Sequence, residues 1–304
     1  MAEYKTRILL AVDGSDQAFE AVRYTSQLFP PNRLEVVLFH VMSKIPDSFW
    51  DIEKNPIFRH QLAPVAAWAT QQQTAIHEFM EKSRQLFANR GVPEGAVSIK
   101  SQERQVGIAR DIAREAQKDY VSVVVGRWGV SKLKDLVWGS IANKLVGHLI
   151  HIPLCVVGGA PEAGKILVAL DASEEAMATV DYLGTMVDAS DWGIILFHVI
   201  RDLYFVLPES GEILQDIEGA VETFLEQAVG RLEKAGLRPD QISTKTVSGV
   251  ASRAKAIVEE AKDSGCGTIV VGRRGLSRVE EFFMGRVSKK VMQLAQEMAV
   301  WVVS

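Results

Sequence analysis

The chain repeats itself, and a repeat of this length decides the architecture before any single motif is read. Arg7-Ile8-Leu9-Leu10-Ala11-Val12-Asp13-Gly14-Ser15 matches Lys165-Ile166-Leu167-Val168-Ala169-Leu170-Asp171-Ala172-Ser173, and Leu38-Phe39-His40-Val41 matches Leu196-Phe197-His198-Val199, both at a separation of 158 residues. Further on, Val125-Gly126-Arg127-Trp128-Gly129 matches Val271-Gly272-Arg273-Arg274-Gly275 at a separation of 146, so the second copy is 12 residues shorter between these landmarks. The shortening falls mainly at Ser43 to about Leu62, a Pro- and aromatic-rich stretch that reads as a variable loop. Gly158-Gly159-Ala160-Pro161-Glu162-Ala163-Gly164 has the composition of a linker. That places a boundary near residue 160 and two domains at 1–160 and 161–304, which suits a length of 304 residues.

Each copy alternates short β-branched runs with longer helical patterns, as βαβ units and a mainly parallel sheet require. The first copy predicts strands near 7–12, 34–41, 96–101, 121–126 and 153–157, with helices near 16–28, 63–89, 105–118 and 140–150. The second predicts strands near 165–170, 193–200, 241–247, 267–271 and 299–303. Ile8-Leu9-Leu10-Ala11-Val12 and Val121-Ser122-Val123-Val124-Val125 are almost wholly apolar, as expected of strands covered by helices on both faces. The terminal runs Pro153–Val157 and Ala299–Val303 are apolar edges that need covering, and pairing them would make a pseudo-dimer within one chain.

Charge and composition narrow the function classes. A net charge of −4 and a pI of 5.9 give no basic stripe for nucleic acid. Apolar runs of about five to eight residues fall far short of the roughly 18 of a membrane span, and no leader precedes the first strand, so a cytoplasmic protein is expected. Cys155 and Cys266 form no CxxC pair and read as buried, reduced thiols.

The chemistry concentrates in Gly126-x2-Gly129-x9-Gly139-Ser140, which runs from the end of the fourth strand to the start of the last helix. Glycines let a backbone approach phosphate oxygens, and a helix N-terminus offers free N–H groups to an anion. Asp13 ends the first strand, where ligands of open α/β sheets bind if strands one and four flank the reversal of strand order. There it can accept hydrogen bonds from ribose hydroxyls; Arg127 is a candidate for phosphate charge. A plainer reading stands beside this one, in which the glycines turn the chain, Ser140 caps a helix, and Asp13-Gly14-Ser15 is a turn and cap.

In these residues, and over its whole length in two copies, the chain resembles the universal stress protein family, whose ATP-binding members carry G-x2-G-x9-G-[ST] after the fourth strand. The resemblance implies two tandem, doubly wound α/β domains, each a five-stranded parallel sheet flanked by helices, Rossmann-like and adenine nucleotide alpha hydrolase-like. It implies that Asp13 and the backbone of Val41 contact the nucleoside, and that Gly126, Gly129, Gly139 and Ser140 hold ribose and phosphates. The implied ligand is ATP, ADP or AMP, with or without Mg2+, and the domains pair through the last strand. Asp171, Val199, Gly272, Gly275 and Gly285 recur in the second copy, but Arg286 replaces Ser140. Its bulk makes weaker or absent binding the expectation there, although a guanidinium can also hold phosphate.

Weaker candidates are set against structural alternatives. Gly159-x4-Gly164-Lys165 lacks the Ser/Thr of a P-loop and leads into a strand. His40 and His198 have no second metal ligand at useful spacing, and His148 and His151 sit near a helix end without counterparts in the second copy. Phe49, Trp50 and Phe58 suit a lid or a satellite cluster equally, while Trp68, Ile76, Phe79 and Leu86 have the spacing of a core-facing helix stripe. Three function classes remain: a nucleotide-binding stress or signalling module, a slow ATPase, and a nucleotide-free scaffold. The first is favoured, because no second carboxylate or Walker-type Mg2+ ligand set accompanies Asp13. A homodimer of whole chains is left open.

Overall fold

The computed structural model describes residues 6–42, 59–129, 139–187, 192–201, 211–274 and 284–304. The first copy runs β1 (Thr6–Ala11), α1 (Asp16–Leu28), β2 (Leu34–Met42), α2 (Arg59–Asn89), β3 (Val97–Glu103), α3 (Ile108–Glu115), β4 (Ser122–Gly126), α4 (Ser140–His148) and β5 (Leu154–Val157). The second repeats the order as β6 (Lys165–Leu170), α5 (Glu174–Met186), β7 (Gly193–Arg201), α6 (Gly211–Lys234), β8 (Ile242–Val250), α7 (Arg253–Asp263), β9 (Thr268–Gly272), α8 (Arg286–Leu294) and β10 (Ala299–Val303). Both first helices start on a serine cap: the hydroxyl of Ser15 accepts from the Ala18 N–H and that of Ser173 from the Ala176 N–H, each at 3.1 Å. In α3 the start slips from the expected 105 to Ile108. The buried Asp111 carboxylate takes the N–H groups of Gln105, Val106 and Gly107 and holds them outside the helix. Burial works to raise the pKa of Asp111, but those three donors together hold it below the usual carboxylate value.

The strands form one ten-stranded sheet in the order β3-β2-β1-β4-β5-β10-β9-β6-β7-β8. Every pairing is parallel except the central one, where β10 runs antiparallel to β5 with Val300 opposite Val156 and Trp301 opposite Cys155. Residues of α1, α2, α5 and α6 pack on one face of the sheet and those of α3, α4, α7 and α8 on the other, and each of these two cores runs unbroken through the seam. Both cysteines are buried and unpaired, and burial pushes the Cys155 thiol well above its ordinary value. Ile76, Phe79 and Leu86 pack against the core as their spacing predicts, but Trp68 is 55% exposed and does not join them. Phe49, Trp50 and Phe58 lie outside the described residues. Among the described residues no helix is long and apolar enough to cross a membrane.

The seam holds two buried arginines in a crossed arrangement. The guanidinium of Arg127, after β4, donates to the carbonyls of Met292 and Ala295 at 2.7 and 2.8 Å, at the C-terminal end of α8 in the other copy. Arg273, after β9, donates in return to Val146 and Leu149 at the end of α4. A helix C-terminus leaves carbonyls without intrahelical partners and carries partial negative charge, so each arginine meets a matching acceptor. Burial lowers both pKa values to about 10, which leaves both groups charged at neutral pH. Beside them the Trp301 indole N–H donates to the Tyr24 hydroxyl at 2.9 Å, and that hydroxyl lies 3.0 Å from the Thr268 hydroxyl. Charge-assisted hydrogen bonds contribute about 1.5–3 kcal/mol each, so Arg127→Leu and Arg273→Leu are each expected to lower stability by about 3 kcal/mol or more in urea unfolding. A loss below about 1 kcal/mol in both would show that the seam does not depend on them.

Candidate functional site

The order of the strands reverses between β1 and β4, which lie side by side with β2 beyond one and β5 beyond the other. At their carboxyl ends the chain turns outward into the loops that the sequence singles out. Asp13 follows β1, its Oδ1 accepting from the Ser15 N–H at 3.1 Å and the Ser15 hydroxyl at 2.6 Å, with Gly14 at φ +81°. His40 Nδ1 lies 2.8 Å from the Val12 carbonyl and ties the end of β1 to β2. The last backbone bond from β1 to β2 is Val12 N–H to Phe39 O, two residues short of Val41.

Each glycine has a local reason that steric fit makes plain. A β-carbon at Gly126 would lie 3.0 Å from the Gln17 carbonyl, so this glycine lets the first turn of α1 settle over the strand. One at Gly129 would collide with Asp13 Oδ2, and one at Gly139 with the backbone carbonyl of Arg127. Asp13 and Gly129 are therefore neighbours across the strand-order reversal. The Gly139 N–H closes the loop on Arg127 O at 2.9 Å and Gly139 is the N-cap of α4. Ser140 is the first residue inside the helix and exposed, with no capping hydrogen bond. The cap reading of Ser140 is thereby corrected.

Arg127 requires a second correction. Expected among the phosphate contacts, it is 1% exposed, and its guanidinium reaches into the seam, where the α8 carbonyls occupy it. Sequence reasoning missed this because its partners lie 165 and 168 residues away. The available signal was that Arg127 and Arg273 recur in both copies while the next residue, Trp128 or Arg274, does not.

The second copy repeats the frame. Asp171 Oδ1 accepts from the Ser173 N–H and hydroxyl, the Gly285 N–H bonds Arg273 O at 2.8 Å, and His198 Nδ1 lies 2.8 Å from Leu170 O. Burial lowers the His198 pKa and favours the neutral ring. Ala172 takes φ 60° where the first copy has Gly14, a conformation that costs an L-residue about 1–2 kcal/mol. Gly275 lies outside the described residues. A cavity of about 680 Å3 opens here, lined among others by Asp171, Val199, Gly272, Gly285 and Arg286. Arg286 lines this hollow without filling it.

The sequence matches the universal stress protein family over residues 5–158 and again over 162–304. The chain belongs to the universal stress protein family. Universal stress protein YxiE of Bacillus subtilis is 28% identical over 141 residues, covering 43% of this chain and 93% of that protein. The crystal structure of a universal stress protein from Archaeoglobus fulgidus superposes with a TM-score of 0.63 at 17% identity, covering 99% of this chain and 98% of that one. A functionally unknown protein from Pseudomonas aeruginosa PAO1 gives 0.58 at 15% identity, covering 99% and 93%. At such identities the two structures share the fold with this universal stress protein.

The steric accounting separates the copies. At Gly285 a β-carbon would meet Arg273 O at an ordinary 3.4 Å, in contrast to the collision at Gly139. Gly139→Ala is expected to destabilise by about 1–3 kcal/mol through overpacking, and Gly285→Ala by no more than about 0.5 kcal/mol. Equal losses for the two in chemical unfolding would show that the loops close differently from this description.

Proposed function

We propose that this universal stress protein is a cytoplasmic, adenine-nucleotide-binding module of a stress response, with ATP, ADP or AMP held in the first copy. The observation that carries the reading is the meeting, at the reversal of strand order, of the Asp13 carboxylate with Gly129, next to the open N-terminus of α4. A carboxylate accepts from ribose hydroxyls, while amide N–H groups and the exposed Ser140 hydroxyl are donors for phosphate oxygens. What supports the fit is that Gly129 leaves room for the Asp13 carboxylate beside it and Gly139 lets the loop close on the Arg127 carbonyl at the start of α4. Asp13, the backbone of Val41, Gly129, Gly139 and Ser140 are the proposed contacts; Gly126 shapes the floor under α1. Mg2+, where present, would ride on the phosphates rather than on a preformed cage.

Binding is favoured over turnover because Asp13 faces the nucleoside end in this arrangement, away from a terminal phosphate. Titration calorimetry of the full chain, with mass spectrometry of protein purified without added nucleotide, tests the reading. The expected result is one bound adenine nucleotide in the first copy, weakened about tenfold or more by Gly129→Val, equivalent to roughly 1.4 kcal/mol. Single-turnover phosphate release should be far slower than ligand exchange. Absence of binding by the wild-type chain at millimolar AMP, ADP and ATP would falsify the proposal.

A further inference from the structure

Several residues that line the cavity of the second copy differ in charge from their counterparts in the first. The ion pair Lys100–Glu115 recurs as Lys245–Glu260, which fixes the equivalence of the two segments that carry α3 and α7. On that alignment Ile108 becomes Arg253. In the glycine loop Trp128 becomes Arg274, and at the helix start Ser140 becomes Arg286. Three cations enter at these positions.

These changes converge on one place. Arg253, Arg274, Arg286 and Lys290 all line the cavity of about 680 Å3, and Asp171 is the one acidic residue among its described lining. Asp171 is turned onto Ser173, whose hydroxyl donates to it at 2.6 Å. Among the described residues none of the four cations is held in an ion pair. Ser288 donates its hydroxyl to the Gly272 carbonyl at 2.7 Å and fixes the loop against α8 beneath them.

We propose that the second hollow is a polyanion site that selects its ligand by phosphate number, taking a chain of three or more phosphates in preference to one. The inference rests on the nucleotide reading of the first copy only for where the anionic end of a ligand lies. Guanidinium groups bind phosphate oxygens in pairs through planar forks, and three of them arriving from α7, the glycine loop and α8 can engage successive phosphates. A single phosphate satisfies one fork and leaves the others in water. Because these side chains reach solvent, the attraction is screened by salt and should weaken as ionic strength rises.

Calorimetry on the full chain with inorganic tripolyphosphate, orthophosphate, AMP and ATP tests this at low and raised salt. Wild type should bind tripolyphosphate at least about tenfold more tightly than orthophosphate, with a preference that shrinks in salt. The Arg253→Gln, Arg274→Gln, Arg286→Gln triple variant should lose that preference and keep AMP binding in the first copy. Arg286→Gln alone should move the same way by a smaller factor, a check that survives if the triple variant folds poorly. ATP displacing tripolyphosphate would assign the chain of phosphates to a nucleotide, and failure to displace it to inorganic polyphosphate; both support a polyanion site. Equal affinity of wild type for tripolyphosphate and orthophosphate, or a preference undiminished in the Gln variants, would overturn the proposal. Loss of AMP binding alone would count against the first copy's reading and leave this one standing.

Discussion

Two buried guanidinium groups cross the seam of this molecule, each bonded to carbonyls at a helix end of the other copy. Removing a charge from water is costly, and an arginine so placed persists only where other polar groups satisfy it. Here the acceptors are the last carbonyls of α8 and α4, which every helix leaves open and which the helix dipole makes partly negative. Each charge thus meets a half-charge of opposite sign that would itself be unsatisfied if buried. Arg127 keeps one unbonded Nε, while the Nε of Arg273 donates to the Ser304 hydroxyl. The antiparallel pairing of β5 with β10 brings these groups within reach, so the ladder and the arginines depend on each other.

The same arginines anchor the loops of the proposed sites. Arg127 lies one residue after β4 and two before Gly129, and its carbonyl receives the Gly139 N–H that closes the loop. Arg273 stands in the same relation to Gly285. Each loop is therefore held from the inside by the partner domain and from its base by its own helix. The described ends of the first loop, Gly129 and Gly139, are thereby held in place, as anion binding without reorganisation requires. What differs between the copies lies outward of that shared base, where Arg274 and Arg286 replace Trp128 and Ser140. A common frame with divergent rims lets the two proposed sites differ in charge without any change in how the domains join.

Much of this was legible in the sequence because the repeat and the apolar strands are local patterns. Strand positions follow within a few residues from runs such as Ile8–Val12, and the adjacency of β1 and β4 follows from double winding. That adjacency also predicts that Asp13 and Gly129 are neighbours, and a β-carbon on Gly129 would collide with Asp13 Oδ2. Arg127 was misread because a Gly-Arg-x-Gly loop after a strand looks the same whether the arginine faces phosphate or a distant helix end. Only the identity of its acceptors decides between the two, and those sit in the other copy. The start of α3 was misplaced for a similar reason: Asp111 looks like an ordinary helical residue until its carboxylate is seen holding three N–H groups ahead of the helix. The charge of the second hollow was visible in parts, at Arg286, but Arg253 lies on another element and joins it only through the fold.

The seam also bears on association between chains. A single copy of this fold ends in an apolar β5 edge whose open N–H and C=O groups would recruit another strand. In the tandem chain that edge is consumed internally, because β10 covers it along four residue pairs from Val302–Leu154 to Ala299–Val157. The outer edges that remain are β3 and β8, whose exposed residues include Ser98, Glu103, Ser243, Thr244, Lys245 and Thr246. Polar and charged edges of this kind disfavour strand addition. The sheet is also not symmetric about its centre, since Trp301 on one side faces Cys155 on the other, and Tyr24 receives an indole hydrogen bond that Cys155 cannot provide to Tyr182. A homodimer built by swapping equivalent last strands would place two indoles or two thiols where one of each now packs. The covalent linkage of two unlike halves therefore favours the internal pairing over an exchange of strands between chains.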